Sequence, residues 1–232
     1  MPILTIEPWR PTEGNNQPRY SLRSIATGHH DSDLARWATQ LAKWPHPILV
    51  RFAQEMNGTW YPWSVGVGGN SAADYREAWS RMHTFISSQA PQARFIWAPN
   101  AITEGTSGFA ECYPGDGVVD YLGLDGYNWG DIPGHQWQSA IRLFSQSLTE
   151  LTRLSPNKPI IITEVGCADG ATPGPKAEWI KDFFSVIASS PRVSSVVWFQ
   201  MDKERDWRFN STPASAAAFR DGLSKWLGNN RP

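Results

Sequence analysis

The sequence predicts an α/β protein of the TIM-type (β/α)8 barrel class, on three observations. Short β-rich runs alternate with amphipathic helical patterns from one end to the other, the pattern of successive βα units and a parallel sheet. Side chains suited to chemistry collect just after the strand candidates: Glu7, Glu55, Asn100, Asp125 with Tyr127, Glu164, and Gln200 with Asp202. In a barrel that end of the strands carries the functional loops. The glycine-rich phosphate loop usual in a doubly wound sheet is absent.

Ile3 to Ile6, apolar and β-branched, opens the chain as a first strand. Asp31 or Ser32 is expected to cap a helix in which Leu34, Trp37, Ala38 and Leu41 share a face. Pro47 to Phe52 is the second strand candidate. Ser71-Ala72-Ala73-Asp74 fits a capping box ahead of a stripe of Tyr75, Ala78, Trp79, Met82 and Phe85. Arg94 to Trp97 and Val118 to Leu124 are the third and fourth strands. Trp137, Ile141, Leu148 and Leu151 mark the next helix, and Pro159 to Thr163 the fifth strand. Trp179, Ile180, Phe183, Phe184 and Ile187 repeat the helical stripe, Ser195 to Phe199 is the sixth strand, and Phe219, Leu223 and Trp226 close the chain with a last helix. A full barrel needs eight strands, and six are readable.

Thirteen tryptophans in 232 residues are several times the usual share of roughly one per cent. Indole faces stack on pyranose rings, so the excess suits a sugar cleft, while Trp37, Trp79, Trp137, Trp179 and Trp226 fall on apolar helix faces and read as core. A formal charge of −1 gives no basic field for a phosphate backbone, which argues against nucleic acid as a partner. No run approaches the 18 apolar residues of a membrane span, and the N-terminus lacks the order of a secretory signal. Localisation stays open, and is extracellular if a preceding segment carries an export signal. The five histidines show no metal-ligand spacing, so neither a metal nor another cofactor is expected. Cys112 and Cys167 are too few for a disulfide scaffold, and a single bridge between them stays open.

Two strand-end glutamates, Glu55 and Glu164, are the pair that acid/base glycoside chemistry requires: one carboxyl protonates the departing oxygen and the other attacks the anomeric carbon. One isolated strand-end glutamate is more often a polar residue closing a buried strand. Two of them, each followed by sugar-gripping residues, argue for catalysis. Arg51 is placed to hold a carboxylate ionised, and Tyr127 to orient the nucleophile. Gln54 and Asn57 are candidates for hydrogen bonds to sugar, and Trp60, Trp63, Trp129 and Trp198 for stacking platforms.

These residues resemble glycoside hydrolase family 26, of the clan with its acid/base on barrel strand four and its nucleophile on strand seven. Arg51 with Glu55-Met56-Asn57-Gly58 and Trp60 resembles the family's acid/base motif, Thr163-Glu164-Val165-Gly166 its nucleophile motif, and Asp125-Gly126-Tyr127-Asn128 the segment whose tyrosine contacts the nucleophile. Trp198 matches the aromatic on the last strand, and Ile6-Glu7-Pro8-Trp9 is similar to a Trp-Glu-Pro stretch. The resemblance implies a retaining endo-β-glycanase with β-linked polysaccharide as partner, β-mannan first and mixed-linkage β-glucan second. It also implies that residues 1–232 form a single catalytic domain holding strands three to eight, incomplete at its N-terminus. Where the family usually has His before the acid/base, this chain has Gln54. The rival reading is an inactive carbohydrate-binding barrel, and release of reducing ends separates the two.

Overall fold

The computed structural model describes residues 1–170 and 175–229. Six strands run β1 (Ile3–Ile6), β2 (Ile48–Phe52), β3 (Ala93–Trp97), β4 (Tyr121–Asn128), β5 (Ile160–Cys167) and β6 (Val193–Trp198). Their order in the sheet is their order in the chain. The helices are α1 (Leu22–Ala26), α2 (Asp31–Ala42), α3 (Ala72–Gln89), α4 (Ala140–Leu154), α5 (Pro175–Ala188) and α6 (Pro213–Asn229). This is the alternation of a (β/α)8 barrel, with six strands among the described residues where a whole barrel has eight. One connection departs from it: β3 reaches β4 through a long loop with only a 3-10 turn, Asp116–Val118. The chain divides into two compact units, one of residues 1–100 and 104–123, the other of 101–103 and 124–232.

In the first unit β1, β2, β3 and the start of β4 pair in parallel, with Ile6 beside Phe52, Arg51 beside Ile96 and Trp97 beside Leu122. Every residue of β2 is buried, as expected of a strand covered on both faces. The Ser71 capping prediction holds: its hydroxyl accepts from the Asp74 N–H at 3.0 Å and donates to the Asp74 carboxylate at 2.6 Å. The prediction for α2 does not, because its N-cap is His30 and makes no side-chain cap. Asp31 instead takes a two-pronged grip from Arg81 of α3 at 2.5 and 2.6 Å, which holds its carboxyl below the usual range. Trp37 is also not core: it is 39% exposed beside the buried Leu34, Ala38 and Leu41.

In the second unit Trp179 and Phe183 of α5 stack in parallel planes with centroids 5.8 Å apart. Phe144 of α4 and Trp198 of β6 meet them, and Phe219 of α6 packs on Trp198 at 5.4 Å. Each such buried ring contributes about 1.5 to 3 kcal/mol through burial, before any ring geometry is counted. Trp137 precedes α4 rather than joining it, and Ile141, expected on the buried stripe, is 62% exposed. A polar residue, Ser147, takes the core position, its hydroxyl accepting from the Ile102 N–H at 2.8 Å. Both cysteines are free and buried, and burial pushes the Cys112 thiol up to about 11 and that of Cys167 to about 12.

Candidate active site

In the first unit the candidate residues gather where β2 stops. Phe52 ends the strand, and Ala53 and Glu55 then take left-handed backbone at φ 46° and 56°. Side chains other than glycine, asparagine and aspartate rarely do so, and each such residue costs roughly 1–2 kcal/mol. The cost is met by backbone hydrogen bonds that fix the segment: the Ala53 N–H donates to the Ile6 carbonyl at 3.1 Å and the Glu55 N–H to the Ala98 carbonyl at 2.8 Å. Strain so over-determined marks functional positions.

The Glu55 carboxylate is 6% exposed, and each of its oxygens receives a side-chain N–H. Asn100 Nδ2 donates to Oε1 at 3.0 Å and Trp60 Nε1 to Oε2 at 2.6 Å. Trp60 folds back to do this over Gly58, where a Cβ would lie 2.5 Å from the indole. The ring is nonetheless 42% exposed, so it can both hold Glu55 and offer a surface to a ligand.

Three expected sugar contacts in this unit are buried and serve other groups. Asn57 clamps the β3 loop, donating to the Asn100 and Ser107 carbonyls at 2.9 and 3.3 Å and accepting from the Asn100 N–H at 2.8 Å. Its side chain thereby fixes Asn100. Trp63 is fully buried, stacked on Tyr61 at 4.2 Å, and its indole N–H donates to the Gln54 carbonyl at 2.7 Å. Gln54 is 3% exposed and points its amide nitrogen at Glu7, 2.6 Å away. Arg51 is buried within β2, with Nε donating to Thr5 Oγ1 at 3.0 Å. Glu7 and Trp60 are exposed, and of the two only Trp60 is a ligand contact expected from the sequence.

The second unit builds around Glu164. The strands run further than their sequence patterns suggest, so Asp125 and Tyr127 lie inside β4 and Glu164 inside β5 rather than just beyond them. What re-aims Glu164 is a register shift: from Ile162 to Val165 β5 spends one residue more than β6 does from Val196 to Trp198. Tyr127 donates its phenol proton to Glu164 Oε2. The phenol ring is set by Gly166, where a Cβ would come within 2.8 Å of it, and by the edge contact with Trp207 at 5.0 Å. Below them Thr163 donates to the fully buried Asp125 carboxylate.

Trp129 is half-buried, stacked on His135 at 4.8 Å and edge-on to Trp207 at 4.8 Å, so its ring is braced from two sides. Trp198 is a correction. At 9% exposure it faces α5 and α6, and its N–H donates to the Trp207 carbonyl at 2.7 Å, so it supports the loop after β6 and presents no stacking face. Trp207, which sequence reasoning passed over, is thus the hub of this unit's cluster. Its loop is tied down by Lys176, whose ammonium donates to the Asp206 carbonyl at 2.8 Å and Ser211 Oγ at 3.0 Å and is pushed down by burial. The one sequence signal for Trp207 is its setting, an indole between Asp206 and Arg208 in a loop after the last strand.

A family model described as glycosyl hydrolase family 26 matches residues 24–219. Endoglucanase H of Acetivibrio thermocellus is 34% identical over 98% of this chain, which spans 25% of that protein. A mannan endo-1,4-beta-mannosidase of Bacillus subtilis is 29% identical over 52% of the chain, the match spanning 30% of the relative. Among solved structures, a GH26 beta-mannanase from Bacteroides ovatus superposes with a TM-score of 0.66 at 20% identity, covering 97% of this chain and 68% of that one.

Proposed function

The chain belongs to glycosyl hydrolase family 26, and on that premise we propose that it is a retaining endo-β-glycanase in which Glu55 is the general acid/base and Glu164 the nucleophile. The observation that carries the reading is Glu55: a nearly buried carboxylate in left-handed backbone, with a side-chain N–H on each oxygen. Such a group is held in one orientation and gives up solvation for that purpose, which a carboxylate closing a strand has no need to do.

In the first step Glu55 gives a proton to the leaving glycosidic oxygen while Glu164 attacks the anomeric carbon and forms a glycosyl-enzyme. The Tyr127 hydroxyl fixes the attacking carboxylate. In the second step Glu55, now a carboxylate, takes a proton from water, which attacks the same carbon and frees the nucleophile. The N–H donors from Asn100 and Trp60 hold its carboxyl group in one orientation through both steps. We assign β-glucan as the first substrate to test, ahead of β-mannan, because a relative matched along almost the whole chain is called an endoglucanase. The mannosidase match covers about half of it.

Reducing ends released from mixed-linkage glucan and from mannan test the activity, and proton NMR of early products should show the anomer of the substrate. Glu164→Ala should lower kcat/KM roughly 10⁴-fold or more on every substrate. Glu55→Ala should cost about 10²- to 10⁴-fold on polysaccharide and much less on an aryl glycoside whose leaving group needs no proton. Equal losses on both substrates would reject this division of roles.

A further inference from the structure

We propose that Glu7 is the carboxylate that reads the sugar beside the acid/base, taking two vicinal hydroxyls of a hexopyranose, and that Gln54 and Trp9 are the positioning residues that aim it. The inference rests on the glycanase reading and names a specificity contact within it.

Glu7 follows the last residue of β1, and Ile6 pairs with Phe52, so Glu7 stands at the strand end from which Ala53 to Glu55 depart. It is exposed, yet both of its oxygens are held. Gln54 Nε2 donates to Oε1 at 2.6 Å and Trp9 Nε1 to Oε2 at 2.9 Å. An ionised carboxylate offers about four acceptor positions, so one protein donor on each oxygen leaves room on each for a hydroxyl. Two such oxygens in a fixed plane match adjacent hydroxyls on a pyranose ring. Carboxylates only accept, so the orientation of Gln54 is decided: nitrogen toward Glu7, oxygen away. That oxygen is buried and has no hydrogen-bond partner among the described residues. A buried glutamine that leaves its own oxygen unmatched in order to hold an exposed carboxylate is there for the carboxylate.

The surroundings are as fixed as the pair. Trp9 packs edge-on to Trp63 at 5.7 Å and to Tyr61 at 6.1 Å. Its loop is closed by the buried Gln17, which accepts from the Arg10 N–H at 2.8 Å and donates to the Gly14 carbonyl at 2.6 Å, and Asn15 donates to the Trp60 carbonyl at 3.0 Å. Glu7 reaches Glu55 by two short routes: Gln54 is the residue before Glu55, and Tyr61, against Trp9, is the residue after the indole that holds Glu55. A sugar bound at Glu55 therefore passes within the same small group of side chains.

The test is calorimetric affinity for gluco- and manno-configured tetrasaccharides, measured in the Glu164→Ala protein so that nothing is hydrolysed, with KM and kcat measured in the active protein. Glu7→Gln should weaken the better-bound tetrasaccharide about tenfold, the loss of a charged acceptor, and raise KM more than it lowers kcat, at unchanged Tm. Gln54→Leu should lose as much, and the double variant no more than either one, because both changes remove the same contact. If Glu7→Gln lowers Tm, Trp9→Phe decides: weaker binding at wild-type Tm supports the assignment, and unchanged binding overturns it. Affinity within twofold of the parent for Glu7→Gln overturns it outright, as does additive loss in the double variant. A parent protein that cleaves neither polysaccharide but binds a tetrasaccharide through Glu7 would sink the glycanase reading and leave this one standing. A protein that binds neither tetrasaccharide overturns both.

Discussion

At the scale of single residues, the site depends on small groups whose job is to aim larger ones. Trp60→Phe keeps a ring over the segment and removes the N–H on Glu55, so kcat/KM should fall about tenfold, the worth of one hydrogen bond to a charged group. Gly58→Ala should mimic it by displacing the indole, although no functional atom is removed. If Gly58→Ala keeps full activity while Trp60→Phe loses it, the close approach is not what seats the ring. The same scale shows why Gln54 misleads a reader of the sequence. Adjacency to Glu55 suggests a hand on the substrate, but alternate side chains after a strand point different ways, and the backbone here changes hand at Ala53 and again at Glu55. Which of two neighbours meets the ligand is set by those dihedral angles, and no residue-type preference records them.

At the scale of elements, the strands and most helices were legible because their cause is local: β-branched runs, a capping box, a stripe of apolar residues at helical spacing. The limits were set where the cause is not local. Strand β5 runs on past Thr163 to Cys167 through a register shift that only its neighbour β6 reveals. Trp198 misled for a related reason. Strand β6, Val-Ser-Ser-Val-Val-Trp, has no regular alternation of apolar and polar residues, so the place of Trp198 at its end says nothing about its direction. The corrected assignment predicts a clean separation between two tryptophans. Trp198→Ala should lower stability by about 3–5 kcal/mol, read by denaturant midpoint, while the folded fraction keeps its KM. Trp129→Ala, from a half-buried ring, should raise KM and move the midpoint little. The reverse result would restore Trp198 to the ligand.

At the scale of the whole molecule, the ion pairs respond to acid in a definite direction. The Arg208 guanidinium, donating to both oxygens of Asp206 at 2.8 and 2.6 Å, holds that carboxyl below its ordinary value near 3.9. A carboxyl with a depressed folded-state pKa stabilises above the unfolded value and loses the effect as pH falls through the folded one. Both partners are partly solvated, so water screens the pair and its contribution is small. Asp206→Asn should therefore lower Tm by a small amount at pH 7, and the gap should close below about pH 4; a gap that widens in acid would show that the pair does not titrate this way. The strand order has a consequence of another kind. Because β1 to β6 lie side by side in the order in which they are synthesised, each strand leaving the ribosome meets a neighbour already made, and no strand waits for a distant one. Loop closure then stays modest at every step, and each new strand pairs along the edge its predecessor leaves open. Assembly can proceed with translation, so protease resistance in stalled nascent chains should rise in steps as β3, β5 and β6 clear the exit tunnel, rather than appear all at once at the end.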